Sequence, residues 1–222
     1  MGKNGKIKPM ELRTIILKIM AKIITIAHQK GGVGKSTLAI NLALCFQDQL
    51  SVGLVDIDPQ GSILHIKDDF PQLSIVGENR LQNIRQLDYD LIIVDTPPYL
   101  SNRLPELFEN SDLIIVPTKA GFFDVMAIRS TLRLIKEAQA KTPSLKAVII
   151  LNIVKPRAGI TKDVIDLLAT MDTPILKTMI HDRVSIASSI ITSGVINGKD
   201  QKAKEEITSL AEEVVHHLTH EV

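Results

Sequence analysis

Two lysines, three glycines and a Ser-Thr pair fall within eight consecutive residues, Lys30-Gly31-Gly32-Val33-Gly34-Lys35-Ser36-Thr37. Glycines at this density let the backbone bend tightly with no Cβ in the way. Just before them, Ile23, Ile24 and Ile26 form a short β-branched apolar run, enough for one buried strand. From Lys35 the pattern turns helical, with Leu38, Ile40, Leu42, Ala43 and Phe46 as apolar positions. A strand, a glycine loop and a helix start aim backbone N–H groups and the positive helix end at one point, which is chemistry for a phosphate. Lys35 would neutralise β/γ-phosphate charge, and the Ser36 hydroxyl would sit on Mg²⁺.

The usual phosphate loop is G-x-x-x-x-G-K-[ST]; here Gln29 occupies the first glycine position and a second lysine, Lys30, stands at the front. This octapeptide resembles the deviant Walker A box of the ParA/MinD family of ATPases. The resemblance implies that residues Lys30 to Thr37 bind ATP. It also implies that Lys30 reaches across a homodimer to the partner's nucleotide, which makes it catalytic together with Lys35.

Acids follow in an order that suits the same chemistry. Val52-Gly53-Leu54-Val55-Asp56-Ile57-Asp58-Pro59-Gln60-Gly61 reads as a buried strand ending in carboxylates, at the edge where open α/β sheets bind ligands. Its end resembles the family's switch I motif, which implies that Asp58 orients the attacking water and that Asp56 supports Mg²⁺ through its water shell. Asp90-Leu91-Ile92-Ile93-Val94-Asp95 is a further buried strand resembling Walker B, with Asp95 on the metal, and Thr96-Pro97-Pro98 begins switch II. Val148-Ile149-Ile150-Leu151-Asn152 is another strand; its terminal Asn152 resembles the asparagine that contacts adenine.

These residues need a scaffold that brings strand ends together. Further strands are expected at Leu73–Val76, Leu113–Thr118 and Pro174–Ile180, and helices at Asp124–Ala140, Ile160–Met171 and Lys202–His217. Strands alternating with helices predict an α/β fold, a mostly parallel sheet covered on both faces with the phosphate loop at its C-terminal edge. The loop Lys119 to Asp124 stands where relatives carry a proline-rich segment of the dimer interface, but no proline follows Pro117 there. Phe122 and Phe123 in it are expected in the core.

The composition fits one domain over residues 21–222: 222 residues in all, 45% apolar, net charge +1. Residues 1–20 form a basic tail or an artefactual extension ahead of a natural start at Met20, and leave no room for a separate helix-turn-helix domain. A single cysteine, Cys45, excludes an internal disulfide framework and suits a reducing cytosol; within the first helix it reads as a core filler. No apolar run approaches the ~18 residues that span a membrane.

Charge is distributed unevenly. Residues 146 to 204 hold nine Lys/Arg against five acids, whereas residues 23 to 145 hold eleven against fourteen. The excess, with Lys155, Arg157, Arg183, Lys199, Lys202 and Lys204, could meet DNA phosphates without reading bases. The segment from His181 to Gly194 resembles the family's Arg-Xaa-Xaa-Xaa-Xaa-Ala region, which implies that Arg183, with Lys199 and Lys202 nearby, contacts DNA. Arg183 lies more than a hundred positions beyond the phosphate motifs and is expected to act apart from the nucleotide. The last helix carries Glu205, Glu206, Glu212 and Glu213 opposite its apolar stripe, the wrong sign for anionic lipid.

Together the resemblance implies a cytoplasmic, nucleoid-associated ATPase. With ATP and Mg²⁺ it would form a dimer, bind DNA nonspecifically and partition a plasmid, chromosome or other cargo, stimulated by a ParB-like centromere- or cargo-adaptor protein. A MinD-like membrane-cycling ATPase is the alternative. A nitrogenase-reductase-like electron carrier lacks cluster cysteines, and a small-molecule kinase would leave Lys30 and Asp58 unexplained.

Overall fold

In the computed structural model the described residues are 21–58, 63–99, 101–155 and 162–219. The basic extension 1–20, Pro59-Gln60-Gly61 and Arg157 lie outside them. Seven strands form one all-parallel sheet in the order β3-β2-β4-β1-β5-β6-β7. They are β1 (Lys22–Ile26), β2 (Val52–Asp56), β3 (Ser74–Gly77), β4 (Leu91–Asp95), β5 (Leu113–Thr118), β6 (Lys146–Val154) and β7 (Ile175–His181). The central strands are apolar at consecutive positions because both faces are covered. In β4, Leu91 and Ile93 enter one core while Ile92 and Val94 enter the other.

Helices α1 (Lys35–Phe46) and α6 (Gln201–Thr219) cover the first face. Helices α2 (Leu104–Glu109), α3 (Phe122–Lys141) and α4 (Lys162–Ala169) cover the second, and α5 (Val184–Ala187) is a single turn after β7. The sequence pattern gives no sign of α2. α1 is buried nearly all round, from Leu38 through Leu44, because it is enclosed by the sheet on one side and α6 on the other.

The register sets the site. Ile26 of β1 and Asp56 of β2 both pair with Asp95 of β4, so the start of the phosphate loop and two carboxylates emerge at one level of the sheet. At the opposite edge Asp112 accepts the Ile23 amide (2.8 Å) and pairs with Lys22 and Arg85, a structural pin for the start of β1.

Three expectations need correction. Phe122 and Phe123 are not core: they are 53% and 81% exposed, stacked edge to face at the start of α3. The helix turns Val125, Ile128 and Leu132 inward, which leaves its first turn projecting past the sheet. The acids of α6 do not all face solvent. Glu213 accepts the Lys177 and Thr178 amides (2.8 and 2.7 Å), and Glu206 accepts that of His181 (2.9 Å). They occupy the unpaired N–H groups of edge strand β7, which would otherwise invite another strand. Arg183 is not remote from the phosphate loop, as shown below.

Candidate nucleotide site

The loop between β1 and α1 holds its shape through glycine. Gly32 and Gly34 sit at φ 69° and 85°, in the left-handed region, and Gly34 occupies the position before the first helical residue. A Cβ on Gly34 would collide with Asn152 Nδ2, the atom that donates to the Val33 carbonyl at 2.7 Å. No side chain caps α1 and no acid lies in its first turn, so its leading N–H groups have no competing acceptor there.

Lys35 and Lys30, five residues apart, are in opposite environments. Lys35 is 7% exposed. Burial lowers its pKa, while Asp95 and Asp58 pull it back up. Lys30 has a 46% exposed side chain and its ammonium pairs with Asp124 of α3. Its own backbone N–H donates to His28 Nδ1 at 2.7 Å. That bond puts the proton of the neutral imidazole on Nε2, which has no hydrogen-bond partner among the described residues. Burial first, then Lys35 and Lys30, pushes His28 down to about 4, so the ring is neutral at pH 7. His28 is a site residue that sequence reading missed, since a histidine at a strand end carries no signal of its own.

The carboxylates divide their work. Asp95 is fully buried and accepts the Ser36 hydroxyl at 2.5 Å through Oδ2; its Oδ1 has no hydrogen-bond partner among the described residues. Burial above all, with Asp56 and Asp58 adding, pushes Asp95 up to about 7 against the pull of Ser36 and Lys35. An orphaned carboxylate oxygen beside two other acids and a serine hydroxyl fits a divalent cation, which would satisfy the lone pairs and offset the charge. Among the described residues there is no cluster of three or more His, Cys, Asp or Glu around a common point. Mg²⁺ takes one or two protein oxygens and completes its shell with phosphate and water. Ser36 and Asp95 are placed to hold it.

Asp56 is committed to backbone. Its Oδ1 accepts the Asp58 amide (3.0 Å), and its Oδ2 accepts those of Ile63 and Leu64 (2.9 and 3.1 Å). It thereby closes the loop that carries Asp58, and three bonds leave it one lone-pair direction for a metal-bound water. Asp58 is partly exposed and near enough for its charge to act on both Lys35 and Asp95. On the other side, Thr96 Oγ1 donates to the Ile26 carbonyl (2.9 Å), tying the end of β4 to β1.

Beside the phosphate loop lies a groove of about 290 Å³, lined by Gly34, Thr37, Asn152, Ile153, Arg183 and Ile186 among others. The β6–β7 ladder shifts register between Leu151 and Val154, and Ile153 sits at φ 55°, a strained conformation for a β-branched residue. This irregularity brings Asn152 against Val33 and puts Ile153 into the groove. Arg183 is held there by Glu206, whose Oε1 accepts from Nη2 (2.7 Å) and Nε (3.1 Å) and also meets His181 Nδ1 at 2.9 Å. The segment reaches the loop because Asn41, buried in α1, donates to Ser189 Oγ and accepts the Val195 amide, both at 2.8 Å. Lys199 and Lys202 are exposed, outside this groove, in the chain leading into α6 and in its first turn.

The protein is similar along 86% of its length, at 28% identity, to the maintenance of carboxysome distribution protein A of Halothiobacillus neapolitanus, 95% of which is covered. Its fold is that of a plasmid partition protein from Borrelia burgdorferi (TM-score 0.66, 22% identity, 89% of this chain and 99% of that one). It is also that of cobyrinic acid a,c-diamide synthase from Mycobacterium smegmatis with bound ADP and magnesium (TM-score 0.71, 20% identity, 89% and 95%). The nucleotide-binding domain shared by CobQ, CobB, MinD and ParA matches residues 24–194, from β1 through the groove segment. With the phosphate loop, both acidic strand ends and the parallel sheet inside that span, the chain belongs to the CobQ/CobB/MinD/ParA nucleotide-binding family.

Proposed function

We propose that this protein is an ATPase that dimerises on ATP and Mg²⁺, and that the dimer positions a large cargo along DNA. The observation that carries the reading is the contrast between the two loop lysines. Lys35 is buried beside Asp95 and Asp58, where it serves its own phosphates, whereas Lys30 stands at the surface on the far side of the same loop. A lysine there is free to reach a nucleotide on a second copy once it leaves Asp124.

Each site residue has a stated task in this reading. Amides from Gly31 to Thr37 cradle the phosphates, and Lys35 offsets their charge. Ser36 and Asp95 would hold Mg²⁺, which when bound would neutralise charge developing on the phosphates. Asp58 orients the attacking water, and Asp56 holds the Asp58 loop. Asn152 holds the loop through the Val33 carbonyl and would contact the adenine. Exposed Phe122 and Phe123 flank Asp124, in the segment that takes the place of a family dimer contact. Lys199, Lys202 and exposed Lys155 supply phosphate contacts for DNA without base preference, and an adaptor protein stimulates turnover.

The similarity to a carboxysome-distribution protein and to a plasmid partition protein supports a cargo-positioning role over a biosynthetic one. Membrane cycling through α6 draws no support, because Ile207, Leu210, Ala211, Val214 and Val215 are buried and Glu206 and Glu213 are bonded to β7. The discriminating experiment is Lys30→Ala in light scattering with a slowly hydrolysed ATP analogue, alongside a nucleotide titration. ATP-dependent dimerisation should weaken at least about tenfold, the loss of a charge-assisted contact, with monomer nucleotide affinity nearly unchanged. Unchanged dimerisation would return Lys30 to a loop lysine held by Asp124.

A further inference from the structure

We propose that Arg183, clamped by Glu206, contacts the heterocyclic base of the bound nucleotide and is not a DNA-contacting residue. The inference rests on the reading of the phosphate loop given above and extends it to a residue on a separate part of the chain. Three observations converge. First, Arg183 lines the same groove as Gly32, Gly34 and Thr37, so a nucleotide whose phosphates occupy the loop can lay its base against this side chain.

Second, Arg183 is built into place. Its side chain is 22% exposed, and both Nε and Nη2 donate to one Glu206 oxygen at 3.1 and 2.7 Å, while the other Glu206 oxygen accepts the His181 amide. A DNA-phosphate contact needs no such anchoring, and a carboxylate on the guanidinium would oppose it. A planar group held at a fixed angle suits a flat ring, which it can cover by stacking. Third, the groove also has an apolar lining, part of it held in a strained conformation. Ile153, at φ 55° within the interrupted end of β6, and Ile186 face the same space. Strain of this kind in a β-branched residue persists where the surroundings enforce it, and it clusters at ligand clamps. A cationic plane and aliphatic side chains lining one groove beside the phosphate loop are what a heterocyclic base needs.

The test separates base, charge and DNA. Affinities of wild type, Arg183→Ala and Arg183→Lys are measured by calorimetry for ADP and for tripolyphosphate, which has no base. Thermal melts check that each variant is folded. Arg183→Ala should weaken ADP about three- to tenfold, the range for a stacked guanidinium, and leave tripolyphosphate unchanged. Arg183→Lys should not restore ADP affinity, because it keeps the charge and loses the plane. Filter binding of arbitrary duplex DNA at saturating ATP analogue should be equal for wild type and Arg183→Ala. ADP affinity within twofold of wild type in Arg183→Ala, an equal loss for tripolyphosphate, or rescue by lysine would overturn the base contact. If wild type bound neither ligand, the nucleotide reading itself would fall, and this inference with it.

Discussion

Asp95 is predicted to destabilise the ligand-free protein that depends on it. Holding a carboxyl ionised in the fold, when burial has moved its pKa from 3.8 to about 7, costs up to about 4 kcal/mol above pH 7. The sign follows from proton counting: between those two values the folded state keeps a proton the unfolded state has released, so stability falls as pH rises from about 4 to about 7 and levels off above that. Asp95→Asn removes the charge and keeps the shape, and its amide oxygen can still accept the Ser36 hydroxyl that Oδ2 accepts now. The new NH₂ takes the place of an oxygen with no partner, an unmet donor that costs about 1–3 kcal/mol of the gain. The net gain at pH 8 is then about 1–3 kcal/mol, or a melting temperature higher by about 3–10 °C for a chain of this size. Near pH 4 most of the gain should be gone, because Asp95 is then protonated in the fold and partly protonated outside it. Thermal melts of both proteins from pH 4 to 8, without nucleotide, measure this directly. Added Mg²⁺ and ATP analogue should stabilise wild type and leave Asp95→Asn largely unmoved. A variant no more stable than wild type at pH 8, or a difference independent of pH, would refute the argument that desolvation of Asp95 is stored for a cation.

Other expectations follow from single contacts. Gly34→Ala must place a Cβ at φ 85° against Asn152 Nδ2, so it should lower stability by about 1–3 kcal/mol and abolish tight nucleotide binding, read by melt and titration. Asp58→Ala should bind ATP normally but hydrolyse it at least about a hundredfold more slowly in a phosphate-release assay, the usual scale for losing a water-orienting base; wild-type turnover would remove Asp58 from that role. His28→Asn keeps an acceptor beside the Lys30 amide but does not titrate. Because burial holds His28 at about 4 against 6.5 when unfolded, wild type should lose up to about 3 kcal/mol relative to the variant as pH falls from 6.5 to 4, and nothing above 7. Denaturant titrations across that range test it.

What could be read directly from the sequence is what neighbouring residues impose on one another. Left-handed glycines in a short loop admit few conformations, and a β-branched run followed by that loop and an apolar helix can only be strand, turn and helix. The phosphate loop, the serine and the acidic strand ends were therefore legible, as was the parallel α/β architecture, because continuous apolar strands must be covered on both faces. Tertiary structure decided everything that depends on distant segments meeting. Arg183 came to the phosphate loop because β6 loses its register near Asn152 and because Asn41 draws the chain after β7 back over α1, neither of which leaves a periodic trace. Glu206 and Glu213 looked like a solvated helix face, and only the unpaired edge of β7 gave them partners. Phe122 and Phe123 looked like core by composition, but burial depends on where a helix begins relative to the sheet. Lys30 and Lys35 share a residue type and a loop, and only the packing around them made one a buried cation beside Asp95 and the other a surface cation: residue type sets what a side chain can do, while desolvation and neighbouring charge, both properties of the assembled fold, set what it does.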